Sequence, residues 1–195
     1  MRNIGAVVLA AGGSSRLGQP KQLLKFRGET LVRRVVGAAA EAGCDPIVVV
    51  VGETGAAIRD ELRGTRATII ENPEWQRGLG TSIRCGLRDI ASSLDAVILL
   101  TCDQPLVESS VIAELIAAKK GTGKPIVASS YANTLGVPAL FDRSFFETLI
   151  ALPNDSGAKS LIETHPGDTA SIEFEAGAID IDTPEDFERL KENRD

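Results

Sequence analysis

The chain is poor in the residues that most often carry catalysis and cross-links. Its 195 residues include one His, one Trp, one Tyr, one Met and three Cys. With His165 alone, neither a Ser-His-Asp triad nor a multi-histidine zinc site can be assembled. His165 precedes Pro166 at the end of a helical pattern, where capping of the last carbonyls accounts for it. Cys44, Cys85 and Cys102 are odd in number and lack CxxC spacing, so no disulfide framework or zinc knuckle is readable, and each reads as a small buried hydrophobe. Basic residues are in deficit, 21 Lys plus Arg against 27 Asp plus Glu, which removes the basic stripe a nucleic-acid binder needs. The longest apolar runs, Ala6 to Ala11 and Ala96 to Leu100, fall far short of the roughly 20 residues that span a bilayer. No apolar leader with a small-residue cleavage site opens the chain. The expectation is a cytoplasmic protein that engages neither membrane nor nucleic acid. Its chemistry must come from carboxylates, Lys, Arg and backbone amides.

What is present is a regular alternation. Runs of Val, Ile and Leu predict strands at about 4–10, 46–51, 67–71, 96–101 and 125–129, with weaker ones near 136–140, 169–174 and 177–181. Helical patterns fall near 29–42, 54–63, 79–92, 107–119, 142–151, 156–165 and 184–193. Continuous apolar strands such as Ile47 to Val51 indicate burial on both faces, as in a parallel sheet. The pattern predicts an α/β fold: a three-layer, mostly parallel, doubly wound (Rossmann-like) sheet, mixed at one side. No linker, repeat or low-complexity tract divides it, so residues 1–195 read as a single domain. In such sheets ligands sit beyond the carboxyl ends of the strands.

The informative residues cluster there. Residues Leu9 to Lys21, LAAGGSSRLGQPK, follow the first strand. Small residues let a backbone approach a ligand closely and make an anion-binding concavity, to which Arg16 and Lys21 add positive charge. An ordinary solvated loop would look similar. No GxxxxGK[ST] phosphate loop occurs. Asp103, in Thr101-Cys102-Asp103-Gln104-Pro105, stands where an α/β enzyme places a metal ligand, although a turn Asp has the same spacing. Near the C-terminus, Thr183 as cap, Pro184 and the acidic first turn make a helix start, leaving Asp182 as a second oxygen ligand opposite Asp103. Two carboxylates plus substrate phosphates are the usual way to hold Mg²⁺. In Asn72 to Ile83, glycines and Ser82 open a helix with amides suited to a base edge or anion. Trp75 either stacks on a flat ligand or packs on the core.

These blocks resemble a known family. Leu9 to Lys21 matches the LAAGxSxRxGxxK signature of MobA-like NTP transferases. Asn72-Pro73-x-Trp75-x-x-Gly78, Cys102-Asp103-Gln104-Pro105, Gly136-Val137-Pro138 and Asp182 to Asp186 resemble its further blocks in order. The subgroup most similar is the molybdenum cofactor cytidylyltransferases, which share the GVPALF and Asp155-Ser156-Gly157-Ala158 segments. The resemblance implies the nucleotide-diphospho-sugar transferase type of sheet. It also implies site roles: Leu9, Ala10, Ala11, Gly12 and Gly13 would line the nucleotide, with Gly80 and Ser82 near the base. Arg16 and Lys21 would hold the triphosphate. Asp103 would hold Mg²⁺ (or Mn²⁺), joined by Asp182 or, failing that, Asp180. Trp75, Gly136 and Pro138 would border the acceptor. Gly13 departs from the pattern, many relatives having a larger residue.

The reaction so implied transfers CMP from CTP to the terminal phosphate of molybdopterin or molybdenum cofactor, releasing pyrophosphate. Such a nucleophile is already anionic, since a phosphate monoester's second pKa is about 6, so a site without histidine needs no general base. Relatives that use GTP tend to carry glycine in place of Ala11, which favours CTP here. Other phosphorylated acceptors stay open: guanylyl transfer to the same cofactor, a sugar phosphate, or methylerythritol phosphate. So does a non-catalytic nucleotide-binding chaperone module, and so does transient docking to a molybdoenzyme or its chaperone.

Overall fold

The computed structural model describes residues 3–14 and 17–192. The chain runs β1 (Ile4–Ala10), a small hairpin of β2 (Lys25–Phe26) and β3 (Glu29–Thr30), α1 (Leu31–Glu41), β4 (Ile47–Val51), α2 (Gly55–Glu61) and β5 (Thr68–Glu71). It continues with α3 (Leu79–Arg88), β6 (Ala96–Thr101), α4 (Ser109–Thr122), β7 (Ile126–Tyr131) and β8 (Thr134–Asp142). Last come α5 (Phe146–Ile150), α6 (Ala158–Thr164), β9 (Thr169–Glu173) and α7 (Pro184–Glu192).

Seven strands form one sheet in the order β5-β4-β1-β6-β8-β7-β9. β8 pairs antiparallel with both β6 and β7, and the other pairs are parallel, so the sheet is mixed on one side as expected. The reversal is local. Ala132 and Asn133 both adopt positive φ, 47° and 59°, in a two-residue turn that folds β8 back along β7.

Strand alternation divides the core. Ala6, Val8 and Ala10 face the apolar side of α1 together with Ile58, Ile112 and Leu115. Val7 and Leu9 face the other way, toward Ile83, Leu87, Leu149, Leu161 and Ile162. A third cluster, Leu17, Leu24, Phe26, Leu31, Ile181 and Leu190, seats α7 against the β2–β3 hairpin. Among the described residues no helix is long and apolar enough to cross a membrane.

Two expectations need correction. The helix expected from residue 29 starts at Leu31, because Thr30 is its cap and accepts a hydrogen bond from the Arg33 amide. The strand expected at 177–181 does not form. Residues Glu175–Ala178 make a 3₁₀ turn whose Gly177 carbonyl is held by Gln104, and the chain then crosses the carboxyl end of the sheet. The topology reverses between β1 and β6, and both the glycine-rich loop and Asp103 emerge at that switch point.

Helix α3 lies close on the sheet. A Cβ at Gly86 would sit 2.5 Å from a Val7 methyl and 2.7 Å from a Val50 methyl, whereas one at Gly37 in α1 would meet nothing within 4 Å. Gly86→Ala should therefore lose about 1–2 kcal/mol to overpacking despite better helix propensity, and Gly37→Ala should gain about 0.5–1 kcal/mol. Urea denaturation of both variants checks this. Shifts of the same sign would mean that packing does not set the difference.

Candidate active site

Three distant segments meet at one ammonium. Lys21 lies in a 3₁₀ turn after the glycine-rich loop, Asp103 follows β6, and Asp182 precedes α7. Lys21 Nζ donates to Asp103 Oδ2 at 2.7 Å and to Asp182 Oδ1 at 3.0 Å. The Lys21 side chain is only 13% exposed. Burial works against its charge, but the two carboxylates outweigh that and raise its pKa above the usual lysine value. Partial desolvation, with Asp103 and Asp182 nearby, lifts the Asp180 carboxyl to about 6.

Backbone bonds hold the carboxylates in place. The Ile181 amide donates to the Asp103 carbonyl at 2.9 Å, joining the C-terminal segment to the end of β6, and the Ile181 side chain is fully buried. Buried Gln104 donates to the Val137 and Gly177 carbonyls at 3.0 and 2.9 Å, tying β8 and the 175–178 turn to the same corner. Sequence reasoning passed over Gln104 as a structural anchor.

The glycine-rich loop is fastened from below. The Ser14 hydroxyl accepts from the Lys21 amide at 2.8 Å, closing the loop onto the turn that carries Lys21. Gln22 is almost fully buried and donates from Nε2 to the Ala10 and Gly12 carbonyls at 2.8 and 2.9 Å. Leu9, Ala11, Gly12, Lys21, Ser82 and Asp103 are among the residues lining a slot of about 160 Å³, so the structure gathers these expected site residues. Arg16 lies outside the described residues.

Other expected residues are placed differently. Trp75 stands apart from Gly136 and Pro138, which lie in β8, two strands beyond β1. A Cβ on Gly13 would touch the Trp75 ring at 3.2 Å and one on Gly52 would meet it at 2.8 Å, so the indole is clasped between two glycines behind the loop. The small residue at Gly13 thereby has a physical reason. Trp75 also lines a cleft of about 390 Å³ with Ala11, Gly12, Gly13 and Glu53. The amide of Gly80 is not free for a base, since it donates to the Asn154 carbonyl at 2.9 Å. A Cβ there would lie 2.2 Å from the Pro153 carbonyl oxygen, so Gly80 serves close packing of α3 on the 153–156 loop. Ser82 borders the slot, its hydroxyl accepting from buried Asn72. Gly136 packs under the Tyr131 hydroxyl, which donates to Val137, and the Pro138 carbonyl accepts from Ser129.

His165 and two of the three cysteines are placed as expected. His165 Nδ1 lies 3.0 Å from the Leu161 carbonyl at the end of α6, and its ring meets Phe145 edge-on. All three cysteines are free; Cys44 and Cys102 are buried, whereas Cys85, expected to be buried as well, is only half-buried. Among the described residues no group of three or more acidic, His or Cys side chains is arranged to hold a metal ion, so a cation here would rest on two carboxylates and its substrate.

Thr183 and Asp186 cap α7 reciprocally. The Asp186 carboxylate accepts from the Thr183 amide at 2.9 Å and hydroxyl at 2.7 Å, and the Asp186 amide donates back to that hydroxyl at 3.2 Å. Thr183→Ala should cost about 1 kcal/mol of stability by chemical denaturation. An unchanged midpoint would mean that Leu190 and Ile181 alone seat the helix.

With this geometry in place, comparison with known proteins is specific. The chain is 28% identical to molybdenum cofactor cytidylyltransferase of Escherichia coli K12 over 98% of its own length and 97% of that protein. It is 27% identical to nicotine blue oxidoreductase of Paenarthrobacter nicotinovorans, covering 96% of each. Among solved structures, Rv0371c of Mycobacterium tuberculosis H37Rv superposes with a TM-score of 0.83 at 31% identity, covering 98% of both chains. A manganese complex of Rv0371c gives 0.79 at 29% identity, over 98% of this chain and 99% of that one. The model of the MobA-like NTP transferase domain matches residues 6–170, which include the loop, Lys21 and Asp103. The chain belongs to that family and is a nucleotidyltransferase.

Proposed function

We propose that the protein transfers CMP from CTP to the terminal phosphate of a molybdopterin-type cofactor, with release of pyrophosphate, as one domain spanning residues 1–195. The observation that carries the site assignment is the shared ammonium: Lys21 held by Asp103 and Asp182 beside a loop of small residues. Family membership supports the reaction class. The full-length cytidylyltransferase relative supports the nucleotide and the acceptor.

The donor set fits a divalent cation. Asp103 and Asp182 offer oxygens that already converge on one positive charge, and Asp180 adds a third carboxylate to the neighbourhood. Asp103 and Asp182 would hold Mg²⁺, or Mn²⁺, the ion with which the solved relative Rv0371c forms a complex. When bound, that ion supplies charge neutralisation at the reacting phosphate and the departing pyrophosphate. Lys21, kept protonated by its partners, would turn from the carboxylates to the triphosphate oxygens, which Arg16 would also hold. Residues 9–13 would line the nucleotide, with the amides of the loop beyond β1 receiving the phosphates, and Ser82 would lie near the base. Gly136 and Pro138 would border the acceptor. Trp75 would brace the loop instead of touching the acceptor. The attacking phosphate is anionic at neutral pH, so the chain needs only to hold and align its two substrates. The product would pass by transient docking to a molybdoenzyme or its chaperone.

Pyrophosphate release, assayed across the four NTPs with and without molybdenum cofactor, tests this reading. Release should require both CTP and the cofactor. Asp103→Asn should melt within a few degrees of the parent and lose nearly all activity. A variant that retained most of its Mg²⁺-dependent activity would remove Asp103 from the metal site.

Nucleotide choice follows from Ala11. It is buried, and it lines the narrow slot with Leu79 and Ser82. The methyl narrows the space beside the backbone and favours a pyrimidine over a purine, because a clash is harder to accommodate than a gap. Ala11→Gly should lower the ratio of kcat/KM for CTP over GTP without abolishing CTP use. A parent enzyme that prefers GTP would end the cytidylyl reading, and an unchanged ratio in the variant would end only the role of Ala11.

A further inference from the structure

We propose that Gln22 is a positioning residue of the nucleotide loop, a buried amide that turns the loop's N–H groups toward the triphosphate. It rests on the reading that residues 9–13 receive the nucleotide.

The argument starts from peptide geometry. In a trans peptide the C=O and the N–H point in opposite directions. The Ala10 carbonyl shares a peptide unit with the Ala11 amide, and the Gly12 carbonyl shares one with the Gly13 amide. Both carbonyls are drawn to Gln22 Nε2, at 2.8 and 2.9 Å. The amides of Ala11 and Gly13 therefore point away from Gln22. Ala11 and Gly12 line both the slot that holds Lys21 and Asp103 and the cleft beside the loop, and Gly13 lines the cleft. Two alternate amides turned outward in this way make an anion-binding concavity.

The choice of side chain is informative. Only an amide or a cation places two N–H donors on one nitrogen, and an amide does so without adding charge beneath the loop. It does so here with one acceptor unmatched: Gln22 Oε1 is buried and has no hydrogen-bond partner among the described residues. Flipping the amide would face that oxygen with the two carbonyls. A position that needed only filling would be better served by a hydrocarbon, which leaves no buried acceptor unpaired. Nothing about the neighbouring apolar residues Leu23 and Leu24 asks for a polar group. Trp75 closes the other side of the loop, its ring resting against Gly13, so this sole tryptophan can report what happens there.

The test uses the full chain and two probes, CTP and inorganic tripolyphosphate, with binding followed by Trp75 fluorescence and by calorimetry. Gln22→Met keeps length and burial but removes both donors. Gln22→Glu keeps shape but sets a carboxylate against the two carbonyls. For Gln22→Met we expect a melting temperature close to the parent's, binding of both probes weakened at least about tenfold, and a KM for the nucleotide raised in step. Gln22→Glu should bind more weakly still. Tripolyphosphate has no base or acceptor, so this result does not depend on cytidylyl transfer. Normal binding by both folded variants would overturn the role of Gln22 alone. Loss of folding in both would also overturn it, by making Gln22 a core determinant. A parent protein that bound neither probe would overturn the loop assignment beneath the proposal.

Discussion

One ammonium group organises the catalytic end of this molecule. Lys21 bridges Asp103 and Asp182, residues 82 and 161 positions further along the chain. Without it, two carboxylates would face each other in a partly desolvated corner, with Asp180 close by. Like charges so placed either shift their pKa or separate. Removing the cation from such a group costs more than the ion pair itself contributes, because the carboxylates stay behind uncompensated. The same arrangement suits nucleotidyl transfer. A site that balances its acids internally can exchange that balance for a divalent cation and substrate phosphates without changing its net charge greatly.

The loop beside it shows how small residues are used. Gly52 leaves room for the Trp75 ring and for the Ala11 carbonyl, which would lie 2.9 Å from a Cβ at that position. Gly13 leaves room for the far edge of the same ring. The indole is thus packed behind the loop, and its bulk is what the two glycines accommodate. The two glycines at the start of α3 have a different purpose. Gly78, at φ 122°, and Gly80 let the chain of residues 153–156 approach to backbone contact.

The sequence was most informative where it repeated a period or a spacing. The parallel strands, the crossover helices and the switch-point position of the loop follow from apolar runs and from what stands after them, and Asp182 stands out because the helix cap that follows leaves it unused. Polar anchors did not announce themselves. Gln22 and Gln104 each sit beside a residue that carries obvious chemistry, and a buried amide looks the same in a sequence as a solvated one. The signal for Gln22 is weak but present: a polar residue between Lys21 and the apolar pair Leu23 and Leu24. The engaged amide of Gly80 is not legible in the sequence, because a glycine that frees an amide and a glycine that admits a neighbouring chain have the same spacing. Residues 177–181 were misread because a run that alternates like a strand can be held by side-chain amides in place of a ladder.

The position of Asp182 shows how such anchors set geometry that ligand-touching residues cannot set for themselves. On its N-terminal side, Ile181 is buried and its amide is bonded to the Asp103 carbonyl. On its C-terminal side, Thr183 is locked to Asp186 in the cap of α7. The Asp182 amide itself reaches the Asp186 carboxylate at 3.3 Å. Backbone freedom is therefore removed on both sides of the residue. Its side chain is aimed at Lys21 by parts that touch no ligand: a core plug, a strand-end carbonyl and a helix cap. A shift of about 1 Å in any of them would be felt at the reacting atoms, where alignment dominates the rate. The last helix is in this sense part of the active site, although it contributes no side chain to the slot.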